Sequence, residues 1–168
     1  MEQTSKRLLP VKELSNAELL EIVNVTIFTI AHESWRPYYQ WVVVSDEERA
    51  VTGDLPIDLI TLQSALIKSE RWIGSQEHRS RVRASGSLPL GGRALEAFWQ
   101  HQELIPESWK QGPDRDPRYI YFDGTIFEST RDQQGPKVFF LSWYGGKWHR
   151  HLSSCMRNAS RLSAVLKQ

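Results

Sequence analysis

The stretch WYGGKWHRHLSSC, Trp143 to Cys155, gathers more reactive side chains than any other part of the chain. His149 and His151 are two residues apart, so on a strand both point to one side and could share a zinc ion, with Cys155 as a third ligand. A second cysteine or a compact carboxylate is missing beside them, so no metal site is assigned. Cys155 and either histidine have the residue types of a nucleophile and its base. A lone cysteine beside Leu152 and Met156 reads first as a small buried hydrophobe, so no catalytic residue is assigned either. Elsewhere LPLGGR has glycines but no phosphate-loop Gly-Lys-Ser/Thr, and neither the dinucleotide fingerprint nor a nucleophile elbow is present. Asp114 and Asp116 are flanked by prolines and read as turn formers. No cofactor is implied.

The chemistry that remains is recognition of a polyanion. Gly145-Gly146 reads as a two-residue hairpin turn, which fixes the register of its strands. Trp143 then faces Trp148, Leu141 faces Arg150, and Phe139 faces Leu152. The other face holds Tyr144 across from Lys147, Ser142 across from His149, and Phe140 across from His151. Rings of that kind stack on bases and the cations meet phosphates, as single-stranded nucleic acids require. Tyr121 joins this face with Tyr119. Arg150 falls on the apolar face and is expected to snorkel past Trp148 to water. Arg157 and Arg161 extend the basic set toward the C-terminus. Arg79, Arg81 and Arg83 alternate in a segment read as a loop or exposed edge strand, where they line up on phosphates or guard a solvated edge.

The charge layout supports this. Residues 133–168 carry six Lys/Arg and no acid, whereas residues 1–64 carry five Lys/Arg and ten Asp/Glu. Such asymmetry points to a nucleic-acid or acidic protein partner for the C-terminal part, or to an acidic N-terminal part that folds back on it.

The elements that must position these residues read as an α+β fold, with a helix-rich N-terminal part, a C-terminal four-stranded antiparallel β-meander and a short terminal helix. Residues 1–112 form the mainly helical part and 113–168 the meander, together one compact unit. A capping box at Ser15 and Glu18, with a Leu14/Leu19 staple, opens a helix that Pro37 ends. Tyr39–Val44 reads as a strand. A second helix spans Pro56–Trp72, with Leu59, Leu62 and Leu66 as its stripe. A third runs Gly92–Glu103, with Leu95, Phe98 and Trp99 inward. Asp123-Gly124 signals a hairpin between strands 118–122 and 125–129, Gly145-Gly146 another between 137–144 and 147–152. Asn158 or Ser160 caps the final helix over NASRLSAVLKQ.

With 168 residues, 40% hydrophobic, seven Trp and one Cys, the chain has ample core and no internal disulfide, which fits a reducing, cytoplasmic setting. No apolar run suggests a signal peptide or a membrane span. These readings describe a non-enzymatic protein that binds nucleic acid, or a nucleic-acid–protein complex, through its basic, aromatic sheet. The alternatives are a protein–protein module, such as an inhibitor or accessory subunit of a nucleic-acid enzyme, and a small metal-dependent hydrolase or nuclease using His149 and His151.

Overall fold

The computed structural model describes residues 7–30, 41–46, 53–112, 116–130, 135–154, 156–157 and 161–167. Pro37, the start of the expected Tyr39–Val44 strand, Asp114, Cys155, Asn158 and Ser160 lie outside these residues.

The architecture is sheet-dominated, which corrects the expected helix-rich N-terminal part and four-stranded meander. A seven-stranded mixed sheet is built from β2 (Trp41–Asp46), β4 (Ile60–Gln63), β6 (Ser87–Pro89), β7 (Tyr119–Ser129), β8 (Lys137–Tyr144), β9 (Lys147–Ser154) and β11 (Arg161–Lys167). Its main path runs β4-β11-β7-β8-β9, while β2 pairs with β7 and β6 with β11. Strands from both halves of the chain therefore interleave. A two-stranded ribbon joins β1 (Leu8–Val11) to β3 (Gly53–Pro56), and another joins β5 (Ile73–Gly74) to β10 (Met156–Arg157). Three helices complete the fold: α1 (Asn16–Ile30), α2 (Ser75–Ala84) and α3 (Gly92–Gln100).

Four elements differ from the sequence expectation. The second helix is replaced by β3, a 3₁₀ turn at Ile57–Leu59, and β4. Ile60 and Leu62 face the core with period two, because they pair with Leu166 and Ala164 of β11; Leu59, read as part of a helical stripe, is exposed. The terminal helix is instead β11, parallel to β7 through Arg161–Ser163. Its Ser163, Ala164 and Val165 are all fully buried, and such short apolar runs suit a strand covered on both faces as well as a helix. The arginine-rich segment is α2, whose inward pair is His78 and Val82, four residues apart.

The fourth difference is Asp123-Gly124, which is no hairpin. β7 continues through it with a wide irregularity: Phe122 pairs with Phe139, and the next pair is Phe127 with Lys137. Here β7 parts from β11, and the end of β6 meets the gap. Gly124 N–H donates to Leu90 O at 2.9 Å, and Leu90 N–H donates to Ala164 O at 2.9 Å. A Cβ on Gly124 would lie 2.4 Å from Pro89 O, so the close approach requires glycine.

Other expectations hold, the third helix among them: it starts at Gly92, runs to Gln100 and buries Leu95 and Phe98. Glu18 accepts hydrogen bonds from Ser15 N–H and Ser15 Oγ, both at 2.7 Å, which closes the capping box and holds the Glu18 carboxyl below the usual range. Gly145 and Gly146 have φ of +59° and +79°, a primed turn, and the β8–β9 register is the expected one from Phe139↔Leu152 to Tyr144↔Lys147.

The main core lies on one face of the sheet. Ile120, Phe122, Phe127, Phe139, Leu141 and Trp148 pack there against Leu19 and Val23 of α1, Leu95 and Phe98 of α3, and the β1–β3 ribbon. Phe98 stands 5.2 Å from Trp109 and 6.3 Å from Phe122 between ring centroids. The opposite face carries a smaller cluster of Tyr121, Ile126 and Val138, flanked by Tyr119 and Phe140. Among the described residues no helix is long and apolar enough to cross a membrane.

Candidate nucleic-acid interface

The face of the smaller cluster carries a row of rings on three strands, continued by Arg161 of a fourth and by Trp72. Tyr144 and His149 stand 6.1 Å apart, His149 and His151 6.0 Å, and His151 stacks on Phe140 at 4.7 Å. Phe140 also stacks on Tyr121 at 5.0 Å and meets Tyr119 edge-on at 6.0 Å. The Arg161 guanidinium then lies over Tyr119 at 5.9 Å and over Trp72 at 5.7 Å. The row follows from elementary strand geometry. Alternate residues of β7, β8 and β9 share a face, and cross-strand register sets rings beside rings.

Exposure varies along the row. Tyr144 at one end is 77% exposed and Trp72 at the other 52%. Tyr119, Phe140, His149, His151 and Arg161 are half-buried, and Lys147 is exposed. Tyr121 is buried and stacks on Phe140, its cross-strand partner. Burial, and secondarily the neighbouring His149, lower the proton affinity of His151. The Nε2 of His149 lies 3.1 Å from Tyr144 O, which can only accept; the geometry therefore places a proton on Nε2 and leaves Nδ1 as the second nitrogen of that ring.

The remaining sequence candidates are held elsewhere. Arg150 does not reach water past Trp148. It donates to Glu96 Oε2 of α3 at 2.5 Å and lies over the Trp99 ring, with only 8% of its side chain exposed. Burial lowers its affinity for a proton, partly offset by Glu96. Arg81 donates to both carboxylate oxygens of Glu70, at 2.6 and 2.9 Å, and to Glu77 at 2.8 Å. Those bonds raise its proton affinity and lower that of Glu70. Arg83 is exposed and Arg79 half-buried on the same helix, so the three arginines no longer alternate along an extended edge. Arg157 belongs to β10, pairing with Ile73.

Sequence reasoning missed Trp72, which sits in a segment read as the end of a helix. It also missed a buried polar chain beneath α2. Ala65 N–H donates to His78 Nε2 at 3.3 Å, which leaves the proton of a neutral ring on Nδ1, 3.4 Å from Ser163 Oγ; that hydroxyl donates to Asp123. All three side chains are at most 1% exposed, so they tie α2 to the sheet rather than meet a ligand. No local spacing signals them, because they come from three distant segments. Among the described residues no three His, Cys, Asp or Glu side chains are grouped to hold a metal ion.

Comparison with known proteins finds no matching family model, no matching curated protein and no matching solved structure.

Proposed function

We propose that the open sheet face binds single-stranded nucleic acid, with bases on the ring row and phosphates on Lys147 and Arg161. The observation that carries this reading is the continuous row from Tyr144 to Trp72, exposed at both ends and interrupted only by a cation. A protein core has no use for a row of that kind left half open, whereas stacking on an aromatic platform is worth about 1–3 kcal/mol per base. The cations favour an anionic polymer over a neutral ligand with stackable rings. The protein would act without an external cofactor, and the single cysteine fits a reducing, cytoplasmic setting.

Fluorescence anisotropy with labelled single-stranded oligonucleotides tests the reading. Binding should weaken with salt, with a log–log slope of about −1.4 if two phosphates are neutralised. Tyr144→Ala and Trp72→Ala should each weaken binding about 5- to 150-fold, the loss of one stacked base. The reading is overturned if no oligonucleotide binds at low salt, or if both variants bind as well as the parent chain.

A further inference from the structure

Two imidazoles stand on this face, nearly parallel and 6.0 Å apart, with the exposed Lys147 ammonium at the same end of the hairpin. We infer that His149 and His151 cleave a bound RNA strand by general acid–base catalysis, without a metal ion. The inference rests on the nucleic-acid reading of the face and goes beyond it by naming the polymer and the reaction.

The two rings differ in what surrounds them. His149 is held by the Tyr144 carbonyl, which accepts from Nε2 whether the ring is neutral or an imidazolium. It can therefore keep that bond and carry a second proton on Nδ1. His151 is stacked on Phe140, and its burial, then the neighbouring His149, disfavour its own charge. His151, which resists a proton, is therefore the base, and His149, whose bond to Tyr144 O survives in the imidazolium, is the acid. That is the division of labour that general acid–base catalysis requires near neutral pH.

The step balances within RNA itself. His151 removes the proton of a ribose 2′-hydroxyl as the 2′-oxygen forms a bond to the adjacent phosphorus. The bond from phosphorus to the 5′-oxygen of the next nucleotide breaks, and His149 gives that oxygen its proton. The products are a 2′,3′-cyclic phosphate and a 5′-hydroxyl. Lys147 is the cation placed to meet charge on the phosphoryl oxygens. Proton exchange with water restores the pair. DNA lacks the 2′-hydroxyl and has no nucleophile for this step.

The experiment incubates the full chain with a single-stranded RNA oligonucleotide and with DNA of the same sequence, in a chelating buffer. The expected result is that both bind, only RNA is cut, and the fragments carry cyclic phosphate and 5′-hydroxyl ends. His149→Phe and His151→Phe should each lower cleavage of RNA held fully bound by excess protein about 100-fold or more, with DNA affinity measured alongside. RNA bound but left intact overturns the inference and leaves the binding reading standing. Cleavage that persists in both variants, or that cuts DNA equally, also overturns it. Failure of both polymers to bind removes the face reading and this one together.

Discussion

Phe139 and Phe140 are neighbours in the chain and opposites in the structure. Phe139 is fully buried, 5.0 Å from Phe127 and under α1 and α3. Phe140 points the other way and is half-buried among Tyr119, Tyr121 and His151. One face of the sheet is closed by helices and filled by aliphatic, phenyl and indole groups; the other carries a smaller cluster edged by rings that stack on one another. The difference separates residues that hold the fold from residues available to a ligand. Phe139→Ala should cost about 3–5 kcal/mol, measured by denaturant unfolding, because the closed face cannot collapse around the hole. Phe140→Ala should cost clearly less and instead interrupt the ring row, weakening oligonucleotide binding. Equal stability losses would mean that the second face is core as well.

The same contrast applies to the two cations of β9, Lys147 and Arg150. Arg150 faces α3 and is tied to Glu96, whose side chain is 20% exposed. Arg150→Ala should destabilise by about 1–3 kcal/mol, the cost of stranding a mostly buried carboxylate, and leave binding little changed. Lys147→Ala should do the reverse, shifting stability by no more than about 0.5 kcal/mol while lowering affinity and flattening the salt slope. Paired unfolding and anisotropy measurements on both variants check this. If Arg150→Ala abolishes binding in a still-folded protein, the assignment of faces is wrong.

How far these faces were legible in the sequence depended on whether the deciding contact was local. The hairpin at Gly145-Gly146 was legible because two glycines at positive φ set a turn, and the turn sets the register. The faces of β7 were also legible: Ile120, Phe122 and Phe127 join the main core and Tyr121 and Ile126 the other cluster, although the hairpin used to assign them does not exist. Asp123-Gly124 carries an equally strong local signal and obeys a distant one instead, the close approach of Leu90–Gly91. Gly124→Ala should therefore destabilise by about 1–3 kcal/mol through overpacking; a neutral result in thermal unfolding would mean that the wedge between β7 and β11 is loose. The helix expected over Pro56–Trp72 and the one at the C-terminus failed for a related reason. β4 and β11 are strands because they pair with each other across about a hundred residues, and no window of local periodicity contains that information. The candidate site was half legible: the hairpin end could be read from register, but Arg161 reaches Tyr119 and Trp72 only after β11 inserts beside β7.

The smallest expected effect concerns protons on the open face. Folding lowers the proton affinity of His151, chiefly through burial and then through His149. The unfolded chain therefore binds the proton more readily, and stability contributed by this residue is intact above its unfolded value of about 6.5. As pH falls through that value toward the lower folded one, the unfolded state takes up a proton that the folded state resists, and stability declines. Chemical unfolding followed between pH 7.5 and pH 5 should show this loss, and His151→Phe should flatten it, since phenylalanine keeps the stack on Phe140 and has no proton to bind. An anionic strand on the face weakens that resistance without removing it, because bound phosphates favour the charged ring while the stack on Phe140 keeps it half-buried. The bound protein should then lose less stability on acidification than the free one, and a free protein whose pH dependence is unchanged in His151→Phe would place the ring in water rather than in the stack.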